Sequence, residues 1–197
     1  MRRARARGRG GVFTPSDFLD VAERAAVDQA LSRLVKAGKL RRLARGLYDF
    51  PKVHPHLGPL SPTPDDVAQA LARDTGAQVQ IAGARAANAL GLSTQVPAKS
   101  IYLTDGPSRR VVLGKRVIDL RHASPKYLIA PGSAAGTVVQ ALRHVGAVRA
   151  RDVAQIAAGR LSVSDKKKLA LSAVQAPAWM RPTLVSIANA ASGEIDG

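Results

Sequence analysis

From residue 24 onward, apolar side chains recur at Val27, Ala30, Leu31, Leu34 and Val35, spacings of three and four that gather them on one face of a helix. Arg24, Asp28, Gln29, Ser32, Arg33 and Lys36 fall on the opposite face, and Gly38 supplies the stop. Upstream, Thr14, Pro15 and Asp17 stand as cap, first helical residue and capping-box acid, which predicts a short helix over residues 15 to 21. Downstream, residues 40–43 and 47–50 read as two strands joined by a turn at Ala44-Arg45-Gly46. The succession is helix, turn, helix, hairpin.

Residues 51–64 then hold five prolines with no periodicity, the pattern of an interdomain linker. Beyond it, Asp65 and Asp66 open a helix to about residue 73, where they complement the positive end of its dipole. A strand over 78–82, a helix over 84–90 stopped by Gly91, and strands within 100–106, 109–114 and 115–123 follow. The pattern turns helical again at 137–145, 150–159, 162–174 and 182–190, and Pro177 and Pro182 separate the last two helices. The expected architecture is α+β: an N-terminal winged helix-turn-helix over 1–52, a linker over 53–64, and a mixed α+β domain with a helical C-terminal part over 65–192. Residues 1–11 read as a flexible arm or the remnant of a first helix, and 191–197 as a frayed end.

Charge changes the picture most. The 197 residues carry 30 Lys and Arg against 14 Asp and Glu, a formal charge of +16. Residues 1–52 alone hold 13 basic and 5 acidic side chains, a balance of +8 in about a quarter of the chain. That asymmetry points to a polyanionic partner for the N-terminal module. The absence of cysteine excludes disulfides, thiol catalysis and cysteine-ligated zinc. No stretch reaches the roughly 18 apolar residues of a membrane helix, and the basic first residues precede no apolar signal core, so a cytoplasmic protein that spans no membrane is expected.

In a helix-turn-helix the second helix lies in the major groove with its exposed side chains at base edges. There Gln29 offers a bidentate amide to adenine and Arg33 a guanidinium to guanine, with Asp28 and Ser32 on the same face. Arg24 and Lys36 suit phosphate. Arg41, Arg42 and Arg45 occupy the wing, where a flat cation neutralises phosphate or enters a narrow minor groove. Thr14 and Ser16, beside free helical amides, are candidates to hold a further phosphate. No catalytic, cofactor or metal site is expected: His54 and His56 lack acidic company, and adjacent Asp65 and Asp66 point to different helix faces. The lysines at 166–168 read as a solvated face, and Trp179 as a core or interdomain anchor. A nucleic-acid-modifying enzyme would need a cluster of acids, histidines or metal ligands that the pattern does not offer.

The stretches VFTPSDFLD, RAAVDQALSRLVKAGKLRRLARGLYDFP, AANALGLSTQVPAKSIYLTDGPSR, VIDLRHA and APAWMRP resemble, in that order, the AbiEi family of antitoxins from type IV bacterial toxin-antitoxin systems. The resemblance spans about residues 12–188. It implies a repressor that binds inverted repeats of double-stranded DNA in its own promoter, and a second domain that counteracts a nucleotidyltransferase-type toxin without need of a stable complex. The reading helix would be residues 24–36 and the wing 40–50. The alternative is a stand-alone winged-helix regulator with an effector-sensing C-terminal domain. Family members begin with a longer amphipathic first helix, so Val27, Leu31 and Leu34 are expected to be partly uncovered here.

Overall fold

A computed structural model describes residues 1–190, a mixed α+β chain with small sheets. It divides into two compact units, residues 1–77 with 110–118, and 78–109 with the chain from 119 onward. The expected frayed end at 191–197, and the last two residues of the expected second domain, lie outside the described residues.

The first unit runs α1 (Arg2–Ala6), β1 (Val12–Phe13), a 3-10 turn (Pro15–Phe18), α2 (Arg24–Lys36), β2 (Arg41–Ala44), β3 (Leu47–Asp49), β4 (Val53–His54), β5 (Gly58–Pro59) and α3 (Pro64–Thr75). The first three strands form one antiparallel sheet in the order β1-β3-β2, with Phe13 opposite Tyr48 and a register shift between Arg42 and Ala44. Gly46 turns the β2–β3 hairpin with φ at +67°, a conformation that favours glycine.

The apolar stripe of α2 packs with Ala4, Phe13, Leu40 and Tyr48. Val27 and Leu31 are only 4% and 3% exposed, so a first helix of one turn still covers them, while Leu34 is half-buried. The expected uncovering is therefore confined to Leu34, because Ala4 enters the core in place of a longer apolar face. The helix expected over 15–21 shortens to a single 3-10 turn. Leu19 and Val21 stand exposed there and give it no apolar face to extend.

The proline-rich stretch folds. β4 and β5 pair antiparallel, Pro62 is buried, and the compact units part at 77/78 rather than within 53–64. Asp17 ties the unit together: its carboxylate accepts from the Thr14 amide at 2.9 Å, from Arg7 at 2.6 Å and from Arg73 of α3 at 3.4 Å. Thr63 and Asp66 cap α3 reciprocally, and Gly76 closes it in the left-handed region.

The second unit contains β6 (Val79–Ala82), α4 (Gly83–Ala89), β7 (Lys99–Thr104) and the ends of β8 (Arg109–Leu113) and β9 (Arg116–His122), in a sheet of order β6-β7-β9-β8. Four helices follow, α5 (Ala134–Val145), α6 (Ala150–Arg160), α7 (Val163–Ala173) and α8 (Arg181–Asn189), around a core that includes Val138, Leu142, Val153, Leu169 and Leu184. Two expectations fail here. Trp179 is 43% exposed and anchors no core. Lys166 is buried on the same face as Leu169 and Ala173, and its ammonium donates to the Ala190 carbonyl at 3.1 Å, so only Lys167 and Lys168 face solvent.

Candidate nucleic-acid interface

The 3.6-residue period that buries Val27 and Leu31 turns Arg24, Asp28, Gln29, Ser32, Arg33 and Lys36 outward, and all six are exposed. Arg24 donates to the Asp28 carboxylate at 2.9 Å, an exposed pair one helical turn apart. Such a pair contributes little to stability and leaves both groups exchangeable for an external partner. Arg33 and Lys36, in the last turn, engage no carboxylate among the described residues. α2 thus presents an amide and a hydroxyl between a compensated arginine at its start and uncompensated cations at its end.

The hairpin arginines divide. Arg42 is exposed and engages no carboxylate among the described residues, and Arg45 is exposed at the turn. Arg41 differs, because its guanidinium grips the buried Asp49 across the strands, at 3.1 Å from Nε and 2.5 Å from a terminal nitrogen, and also donates to the Leu60 carbonyl at 2.7 Å. The hydrogen bonds from Arg41 to Asp49 outweigh the cost of burial and push the Arg41 pKa above its ordinary value. Arg41 is consequently tied into the fold, unlike the exposed Arg42 beside which it was expected to meet phosphate. Its bonds compensate a carboxylate that is 1% exposed and join β2 to the chain at Leu60.

Thr14 and Ser16 are also withdrawn from the candidate set. Thr14 is fully buried, and its hydroxyl oxygen has no hydrogen-bond partner among the described residues. Ser16 is partly buried and donates to Asp74 at 2.6 Å. The Asp17 carboxylate already accepts the Thr14 amide, so the turn carries its own anion where phosphate was expected.

Four further cations escaped the sequence reading: Arg5, Arg9, Lys39 and Lys52. Arg9 sits over the Phe50 ring, 4.9 Å from its centroid, and donates to the Pro51 carbonyl at 3.2 Å. The signal available was the arginine repeat of residues 2–9, which splits on folding. Arg3 pairs with Asp20 and Arg7 with Asp17, while Arg5 and Arg9 line a concavity. His54 and His56 lie 5.9 Å apart as exposed rings, and no group of three or more His, Cys, Asp or Glu among the described residues could hold a metal.

These features define a basic, mixed α+β protein whose first unit carries an exposed cationic helix face followed in the chain by an arginine-bearing hairpin. The chain belongs to DUF6088, a family of unknown function, which residues 2–169 match. No curated protein and no solved structure matches it. No helix among the described residues is long and apolar enough to cross a membrane.

Proposed function

We propose that this protein binds duplex DNA through α2 and the β2–β3 hairpin, as the winged helix-turn-helix of an autorepressing antitoxin. The observation that carries the reading is the outward face of α2, where Gln29, Ser32, Arg33 and Lys36 are all exposed and neither Arg33 nor Lys36, nor Arg42 of the hairpin, engages a carboxylate among the described residues. An amphipathic helix followed by a hairpin on a β1-β3-β2 sheet has the order of a recognition helix and its wing, which supports the assignment, although a single 3-10 turn stands where the first helix was expected. In this reading Gln29 and Arg33 meet base edges, while Lys36, Arg42 and Arg45 meet phosphate. Arg24 does so by exchanging Asp28 for phosphate. The resemblance to AbiEi antitoxins supplies the rest: the operator is an inverted repeat in the protein's own promoter, and a cognate nucleotidyltransferase-type toxin is counteracted in the cytoplasm.

The test pairs promoter binding with toxin rescue. Replacing Arg33, Lys36 and Arg42 by alanine should flatten the dependence of log K on log salt by roughly 0.9 for each lost phosphate contact, with rescue retained. Arg33 also tests base readout, since its loss should relax discrimination at one operator position. An unchanged salt slope refutes the interface. Failure of the full chain to rescue cells from the neighbouring toxin refutes the antitoxin role and leaves a stand-alone regulator.

A further inference from the structure

α2 and the hairpin do not use the cations of the N-terminal segment, and those cations shape two neighbouring concavities of about 400 Å3 each. The first is lined by Arg5, Arg9 and Lys39 over an apolar floor of Phe50, Pro51 and Pro59, with no carboxylate in its lining. The second is lined by Arg7, Arg9 and Lys52 with the backbone of Gly10 and Gly11. Its one carboxylate, Asp66, already accepts from the Thr63 hydroxyl at 2.6 Å as the cap of α3. Arg9 belongs to both walls, and the segment that carries it is pinned to the end of β3 by two backbone hydrogen bonds, Gly10 to Phe50 at 2.6 Å and Phe50 to Gly11 at 3.0 Å.

We propose that these two concavities, joined at Arg9, form a binding site for single-stranded nucleic acid, separate from the face of α2. Each has the volume to admit one nucleotide. Arg9 covers the Phe50 ring, so the platform of the first concavity is the Arg9 guanidinium beside Pro51 and Pro59, and it suits a ligand with an exposed planar face, which an unstacked base offers and a base-paired stack conceals. Arg9, common to both, is placed for the phosphodiester linking two successive nucleotides, and Lys39 and Lys52 flank that phosphate on either side of the strand's path. The stack of Arg9 on Phe50 holds the guanidinium ready, so little side-chain freedom remains to be lost on binding. An acidic peptide matches the charge but leaves the planar platform unused.

Fluorescence anisotropy on the full chain, with short mixed-sequence DNA and RNA single strands as probes, tests this directly. Arg9→Ala is expected to weaken strand binding roughly tenfold, the loss of one stacked or bridging contact. The double variant Lys39→Ala/Lys52→Ala is expected to lower the salt slope by about 0.7 for each cation removed. Both lysines are exposed, so that variant retains its fold and keeps the test decisive. Arg33→Ala/Arg42→Ala should leave strand binding intact while weakening the promoter duplex, which separates this site from the interface above. Whichever strand binds more tightly identifies the natural source. Wild-type affinity and salt slope in both N-terminal variants overturn the proposal, as does loss of strand binding in Arg33→Ala/Arg42→Ala. Displacement of the strand by polyglutamate at matched charge also overturns it.

Discussion

Two groups of cations, one on α2 and the hairpin and one in the second unit, are held differently. In the first, Arg33, Lys36 and Arg42 are exposed on α2 and the hairpin and engage no carboxylate among the described residues. In the second, Arg160 donates to the Leu90 carbonyl at 2.7 Å, Arg181 to Ala176 at 3.0 Å and Arg143 to Lys126 at 3.1 Å, so these arginines fasten one stretch of backbone to another. The same residue type is left exposed in one place and tied internally in the other. Net charge alone therefore does not distinguish the two, whereas the pairing state of each cation does. Arg41 and Arg42 make the point within one strand, since neighbours on β2 face opposite duties.

The largest effect that breaks this contrast lies where the second unit closes its backbone. Gln80, 2% exposed, accepts the Gly132 amide at 2.8 Å and donates to the Thr137 hydroxyl at 3.2 Å, beside Ala130 at a positive φ of 46°. A Cβ at Gly136 would fall 2.3 Å from the Ala130 carbonyl oxygen and 2.6 Å from Gln80 Oε1, and the former is backbone that has little room to shift. Gly136→Ala is expected to cost about 3 kcal/mol, the upper part of the overpacking range, as a lower denaturation midpoint. An unshifted midpoint would show that this internal network yields easily.

A smaller effect sharpens the comparison within β2. Asp49→Asn keeps the shape and removes the charge that Arg41 grips, at an expected cost of about 2 kcal/mol in chemical denaturation. Arg42→Ala, one residue along, should change stability by no more than about 0.5 kcal/mol and act instead on DNA affinity. Equal stability losses in the two variants would erase the distinction between an arginine tied into the fold and an exposed one.

Much of the first unit was legible because α2 buries a clean stripe: its start, its stop at Gly38 and its outward residues all follow from one period. Arg41 was not, because its partner lies across a hairpin whose register shifts between Arg42 and Ala44, and a turn read from sequence does not reveal that shift. α1 was left between arm and helix, since alternating arginine and alanine has no helical stripe and only Ala4 is buried. The inclusion of α3 in the first unit rests in part on Arg73 reaching Asp17, 56 residues away, a distance that local patterning cannot cross. Lys166 is the instructive miss. Its three- and four-residue spacing from Leu169 and Ala173 placed it on the buried face, and the run of three lysines concealed the period.

The smallest effect concerns a carboxylate in the second unit that is tied as its arginines are. Asp119 accepts from Arg121 at 3.0 Å and from Lys99 at 3.2 Å, and its side chain is only 16% exposed. Burial pushes its pKa up, but the hydrogen bonds from Arg121 and Lys99 and their charges together outweigh burial, so the net shift is below the ordinary carboxylate value. A carboxyl with a depressed folded pKa contributes stability above its unfolded pKa and loses it as pH falls through the folded value. Asp119→Asn should therefore cost less than about 1 kcal/mol near neutrality, in keeping with partners that are half exposed. That difference from the unaltered protein should shrink as the pH is lowered below the usual carboxylate range, because the native carboxyl then loses its charge as well. Denaturation midpoints measured for both proteins across that range decide the matter. A gap that stays constant from neutral to strongly acidic pH would mean that Asp119 acts by shape rather than charge, and that its pairing differs in kind from that of Asp49.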